Sequence, residues 1–230
     1  VTGNVQAKGD NQTHEGQTGG TYIDKWANGV QADNGSKVAV DGNVTSEKGR
    51  AIDSHGSEVT VNSNVHSEKE SAINARDGST ITIDGSVSSN VGISLGGIIE
   101  TTDSTIKITK DVKAKNAWGI LAGPGTDIEV GGNVSSEKEA VYISGKDALI
   151  VVDGNVYSTK GCAMDILEQA EATVKGDVTG NKLAIWMDNC SKLQSLGKIS
   201  SNDVGILLSL YDAQGTGELD LGTIDAQTAI

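Results

Sequence analysis

The chain has no Phe, one Pro (Pro124), two Cys, three Trp and four Tyr in 230 residues. So few large side chains cannot fill a thick globular core, but 30 Gly together with Val, Ile and Ala suit a thin one. Cys162 and Cys190 are too few for a disulfide framework, and they lack the C-x-x-C spacing of metal or redox sites. Nothing approaches the roughly 18 consecutive apolar residues of a membrane span, and no basic segment followed by an apolar one opens the chain. Neither a membrane insertion nor a signal peptide is therefore expected, and a start at Val1, inside a repeat, is what a mature or excised segment would show. Cations are scarce as well. Against 31 Asp plus Glu stand 18 Lys plus Arg, a net charge of −13, which argues against nucleic acid or an anionic membrane surface as the partner.

What is present is a repeat. The stretch V-A-V-D-G-N-V-T-S-E-K-G-R-A-I-D-S-H-G-S, Val38 to Ser57, recurs in variants almost to the end of the chain. One landmark is a turn residue followed by Val: Asn43-Val44, Asn64-Val65, Ser86-Val87, Asp111-Val112, Asn133-Val134, Asn155-Val156 and Asp177-Val178. A second is Gly or Ala followed by an aliphatic, from Gly29-Val30 through Ala51-Ile52, Ala72-Ile73, Gly92-Ile93 and Gly119-Ile120 to Ala229-Ile230. Both series keep a period of about 22 residues, which is the signature of stacked units that cannot bury a face alone. Within each unit β-branched residues alternate, as in Val59 and Val61 or Ile106 and Ile108, between D-G, N-S or G-G turns. That pattern reads as three short strands per unit.

The expected fold is all-β: a single right-handed parallel β-helix over residues 1–230, with about ten coils and three short strands per coil. At ~4.8 Å between coils the rod would be roughly 45 Å long. A leucine-rich repeat would need a Leu framework, a left-handed hexapeptide helix a multiple of six, and calcium-binding nonapeptides G-G-x-G-x-D; the chain has none of these. Through G-N-V, the A-I pair and the G-S corner the unit resembles the right-handed β-helix of bacterial surface, adhesin-like proteins, an architecture shared with polysaccharide lyases. The resemblance implies an architecture and a setting, secreted or at a bacterial cell surface with flanking domains in a longer protein. It implies no particular activity.

Two places depart from the unit. Residues 6–28 hold about 17 more than a coil requires, with Tyr22 and Trp26 among them, and residues 96–103 add about six after Ile93. Insertions in solenoids map to surface loops that often bind, although the first could instead cap the exposed end of the core. The column Asn4, Asn43, Asn64, Ser86, Asp111, Asn133, Asn155, Asp177 reads as a ladder of side-chain amides at a sharp turn. Calcium at Asp111 and Asp177 is conceivable but not indicated, so neither metal nor cofactor is expected.

Two groups carry candidate chemistry. Asp53, His55, Asn74 and Arg76 are spaced to cluster on adjacent coils, and an acid, a base and a cation on a β-helix face are similar to what polysaccharide lyases use. The N-T-D, D-D and G-H-G motifs of the hydrolases of this architecture are absent, and a surface polar cluster is the alternative meaning. The other group is the outward column after the A-I pair, Gln31, Asp53, Asn74, Ser94, Leu121, Tyr142, Asp165, Trp186, Leu207, with Trp118 beside it. Its apolar and aromatic half suits stacking on sugar rings or on a partner protein, unless a neighbouring segment buries it. The sequence therefore favours a non-enzymatic module that binds glycan or a cell-surface or cell-wall partner and acts as a stiff spacer. A polysaccharide lyase or glycoside hydrolase and a purely structural stalk remain the alternatives.

Overall fold

Residues such as Ile52, Val59 and Val65 sit between turns too close together for a long strand, so the chain bends three times per coil and stacks each short strand on its counterpart one coil away. In the computed structural model this gives three parallel sheets of ten, nine and nine strands, with no helix among the described residues, which are 1–7, 12–15, 21–24, 28–90, 97–209 and 215–227. The architecture is a right-handed parallel β-solenoid. Nine strand triplets follow the lone strand Val5–Ala7. One triplet, Ile52–His55, Glu58–Val61 and Val65–Ser67, shows the first, second and third sheets in order. Equivalent residues pair in strict register, for instance Ile52 with Ile73, Val59 with Ile81 and Val65 with Val87.

Inward positions carry Val, Ile, Ala and occasionally Met in continuous columns, and their side chains are fully buried from Val44 to Ile206. A core one aliphatic layer wide needs no Phe.

Each corner is closed by its own chemistry. Between the first and second sheets the chain enters the left-handed region at Asn34, Asp77, Asp103 and Asp147 and at Gly35, Gly56, Gly78 and Gly125. Short polar side chains and Gly tolerate that conformation. Between the second and third sheets, the Oδ1 of one coil's Asn or Asp accepts the backbone N–H of the next: Asn43 from Asn64 at 3.1 Å, Asn64 from Ser86 at 2.9 Å, Asn133 from Asn155 at 2.8 Å and Asn155 from Asp177 at 2.7 Å. The ladder thus runs chiefly from side chain to backbone rather than amide to amide, and Asp111 and Asp177 serve it in the same way toward Asn133 and Lys198. At the third corner a buried Ser that ends the third-sheet strand caps the turn, as Ser67 does in S-E-K and Ser158 in S-T-K. Ser67 donates to Gly49 O at 2.9 Å and accepts from Glu70 N at 3.2 Å, and Ser158 Oγ accepts from Gly161 N at 2.8 Å.

Two expectations are corrected. The partner of Ile73 is Ile99, 26 residues on, not Ile93, and Ile99 pairs in turn with Ile120 after 21. Gly97–Thr101 is a strand of the first sheet, so the extra residues lie between Val87 and Ile99 rather than within 96–103. Glu100 accordingly takes the column position expected for Ser94, which lies outside the described residues along with Trp26 and Ala229-Ile230. In the first insertion Gln12–Glu15 and Thr21–Asp24 form an antiparallel hairpin, where the backbone of Tyr22 pairs with that of His14.

Candidate ligand-binding face

The outward side of the first sheet carries both groups of candidate residues. At its N-terminal end Asn74 pairs with Asp53 and Arg76 with His55 across adjacent strands. Asp53 is 8% exposed, and four side chains surround its carboxylate. Asn74 donates to Oδ1 at 2.7 Å and Asn28 to Oδ2 at 3.2 Å, Arg50 Nη1 donates to both oxygens at 3.3 to 3.4 Å, and His55 Nε2 lies 3.3 Å from Oδ1. Burial pushes the Asp53 pKa up, but the bond from Asn74 and the charges of Arg50 and His55 outweigh it and hold the carboxyl below its ordinary value. A carboxylate so occupied has no lone pair free to take a substrate proton. Arg76, further out, has its Nε 2.8 Å from His55 Nε2, a nitrogen that either accepts from Arg76 or donates to Asp53 but not both.

Toward the middle of the sheet the column continues Glu100, Leu121, Tyr142. Leu121 and Tyr142 are half-buried, and the Tyr142 ring stacks on Trp118 with centroids 5.5 Å apart at 20°. A shallow groove of about 360 Å³ joins the two groups, with Asn74 and Arg76 at one end, Glu100 and Leu121 between, and Tyr142 and Ser144 at the other. From Asn74 to Tyr142 it crosses three strand spacings, roughly 14 Å.

Asp165 interrupts the apolar half. It lies between Tyr142 and Trp186 in register, is 7% exposed, and its Oδ1 has no hydrogen-bond partner. Burial, reinforced by the charge of Glu139, pushes its pKa up to about 6. The neighbouring Cys162 thiol is also pushed up, by burial and by Asp165, and its Sγ lies 3.1 Å from the Met164 carbonyl. No disulfide joins Cys162 and Cys190. Beyond Asp165, Trp186 and Leu207 are register partners, 39% and 47% exposed, and Trp186 Nε1 donates to Ser209 Oγ at 3.3 Å. The aromatic column is thus two patches, Leu121–Tyr142 in the groove with Trp118 stacked on Tyr142, and Trp186–Leu207 past Asp165.

Sequence reasoning missed Glu100, for which a signal existed. Seven residues separate Ile52 from Val59 and Ile99 from Ile106, whereas Ile93 stands thirteen from Ile106. The corner serines also went unnoticed as caps because Ser is common in any turn. In comparisons with known proteins, no family model, no curated protein and no solved structure matches the chain.

Proposed function

We propose that the chain is a non-enzymatic, adhesin-like β-solenoid module that acts as a stiff spacer and binds glycan in the groove of its first sheet. One observation carries the reading: members of both groups line a single groove, with Asn74 and Arg76 offering hydrogen bonds at one end, Glu100 between, and Tyr142 at the other. An amphipathic ring beside polar donors and acceptors is what a sugar, apolar on its C–H face and polar at its edge, requires. Tyr142 is backed by Trp118, so little side-chain freedom is lost on binding. The reading includes a secreted or cell-surface setting. Against the lyase or hydrolase alternative stands Asp53, whose oxygens are already engaged by Asn74, Asn28 and Arg50.

The test is a glycan array followed by titration calorimetry of the best ligand. Binding should weaken about tenfold or more in Tyr142→Ala, the ordinary cost of a lost stacking contact plus its buried area. Equal binding by Tyr142→Ala and Arg76→Gln would remove the groove from consideration. Release of new reducing or unsaturated ends from a polysaccharide, lost in Arg76→Gln, would replace the module with an enzyme.

A further inference from the structure

The outward side of the third sheet carries a second groove, on residues separate from the first. In coil order its central column is His66, Ser88, Lys113, Ser135, Tyr157. Small serines flank Lys113 and large rings stand at both ends, so the size profile alone cuts a trough. Its volume is about 590 Å³ and Lys115 stands on its rim. His66 to Tyr157 spans four strand spacings, roughly 19 Å.

Charge distinguishes this groove from the rest of an acidic chain. The carboxylates near it are already engaged: Glu68 by Asn90 at 2.7 Å and by His66 at 2.9 Å, Glu137 by Lys160 at 2.5 Å. Lys113 and Lys115 are exposed, and neither makes an ion pair within 4 Å among the described residues. Lys115 does help to hold Glu68 ionised from a distance. The groove therefore presents two available cations, and beyond a Debye length of ~8 Å at physiological salt the distant acidic residues are screened. Tyr157, 40% exposed, offers the face of its ring at one end. His66 is fixed at the other through Ser88 Oγ at 2.8 Å from its Nδ1.

We propose that this groove binds a saccharide bearing carboxylate or sulfate groups, its ring against Tyr157 and its anionic group at Lys113 and Lys115. Lysines alone would hold any small anion. The aromatic wall and the length of the trough favour an anion carried on an oligosaccharide.

The experiment titrates the intact chain with an oligogalacturonate, a heparin-derived oligosaccharide, a neutral oligogalactan and polyphosphate. Saturable binding of the first or the second, or of both, is expected, and which one binds separates carboxylate from sulfate as the recognised group. That binding should fall about tenfold or more in Lys113→Gln/Lys115→Gln and in Tyr157→Ala, stay unchanged in Lys107→Gln on the second sheet, and resist competition by oligogalactan. Absence of saturable binding to both charged saccharides overturns the proposal. So does equal affinity for polyphosphate, or binding indifferent to Tyr157→Ala, because charge alone would then explain it. Loss in Tyr142→Ala with retention in the lysine variant would move the site to the first sheet. Should a variant melt early, amide shifts of Lys113 and Tyr157 in the unaltered chain on adding oligogalacturonate or the heparin fragment decide instead, and shifts confined to other sheets refute it.

Discussion

Asp53 and Asp165 occupy the same outward position of the first sheet, five strands apart, and their carboxyls have opposite surroundings. Asn74, Asn28, Arg50 and His55 surround Asp53, while Asp165 leaves Oδ1 unpartnered beneath the surface. The first is held ionised and the second is pushed toward its neutral form.

Asp165 makes the protein less stable as pH rises. Its folded pKa of about 6 exceeds the ordinary value of 3.8, so between these values the folded chain holds a proton that the unfolded chain has released. Stability from this group is complete below about pH 4, declines through pH 6 and is flat above. The loss is on the order of 3 kcal/mol at 1.36 kcal/mol per pKa unit. Asp165→Asn should match the parent near pH 4 in urea melts and exceed it increasingly up to pH 7. A constant difference across that range would refute the assignment.

Asp53 has the opposite sign. Its folded pKa lies below the unfolded value, so its contribution is present above the ordinary carboxylate range and disappears as pH falls through the folded pKa. Asp53→Asn should cost about 1–3 kcal/mol at pH 7, since Arg50 and the amides lose a charged acceptor. The deficit should shrink in thermal melts taken toward pH 3.

Asn133 accepts the backbone N–H of Asn155, and its own backbone N–H donates to Asp111. Asn133→Ala removes one rung and leaves a backbone donor without its acceptor, a loss of about 1–2 kcal/mol. Hydrogen exchange at the Asn155 amide should accelerate while the amides of Val59 and Ile81, on distant coils, keep their protection. Uniform acceleration along the rod would mean that the rungs are not local.

Gly154 stands where a Cβ would lie 2.5 Å from the carbonyl oxygen of Gly132 on the preceding coil. Backbone cannot withdraw there without breaking the bond from Gly154 N to Gly132 O. Gly154→Ala should therefore destabilise by about 1–3 kcal/mol or more, as overpacking does. Gly35→Ala is a useful contrast: there the added atom meets nothing within 4 Å, and strain comes only from φ +77°. Its cost should be about 1–2 kcal/mol, smaller than that of Gly154→Ala in the same denaturation assay.

The period-two aliphatic pairs, the D-G-N turns and the 22-residue recurrence determined the solenoid without tertiary information, because each coil repeats the same local problem and solves it with the same residues. Val44, Val65 and Val134 could be placed in the core from the sequence alone. Gly92-Ile93 fits the Gly-aliphatic landmark while the seven-residue step to Ile106 favours Ile99, and the pairing of Ile99 with Ile73 and Ile120 decides between these two signals. Spacing brought Asp53, His55, Asn74 and Arg76 together, whereas only packing shows that Asp53 is saturated and that Asp165 is not. The sequence places Asp165 in the aromatic column without showing that it lies buried there. The tertiary structure divides the column at Asp165 and joins its first part to Arg76 in one groove, because a groove depends on the depth of side chains across several coils, and no single coil contains that information.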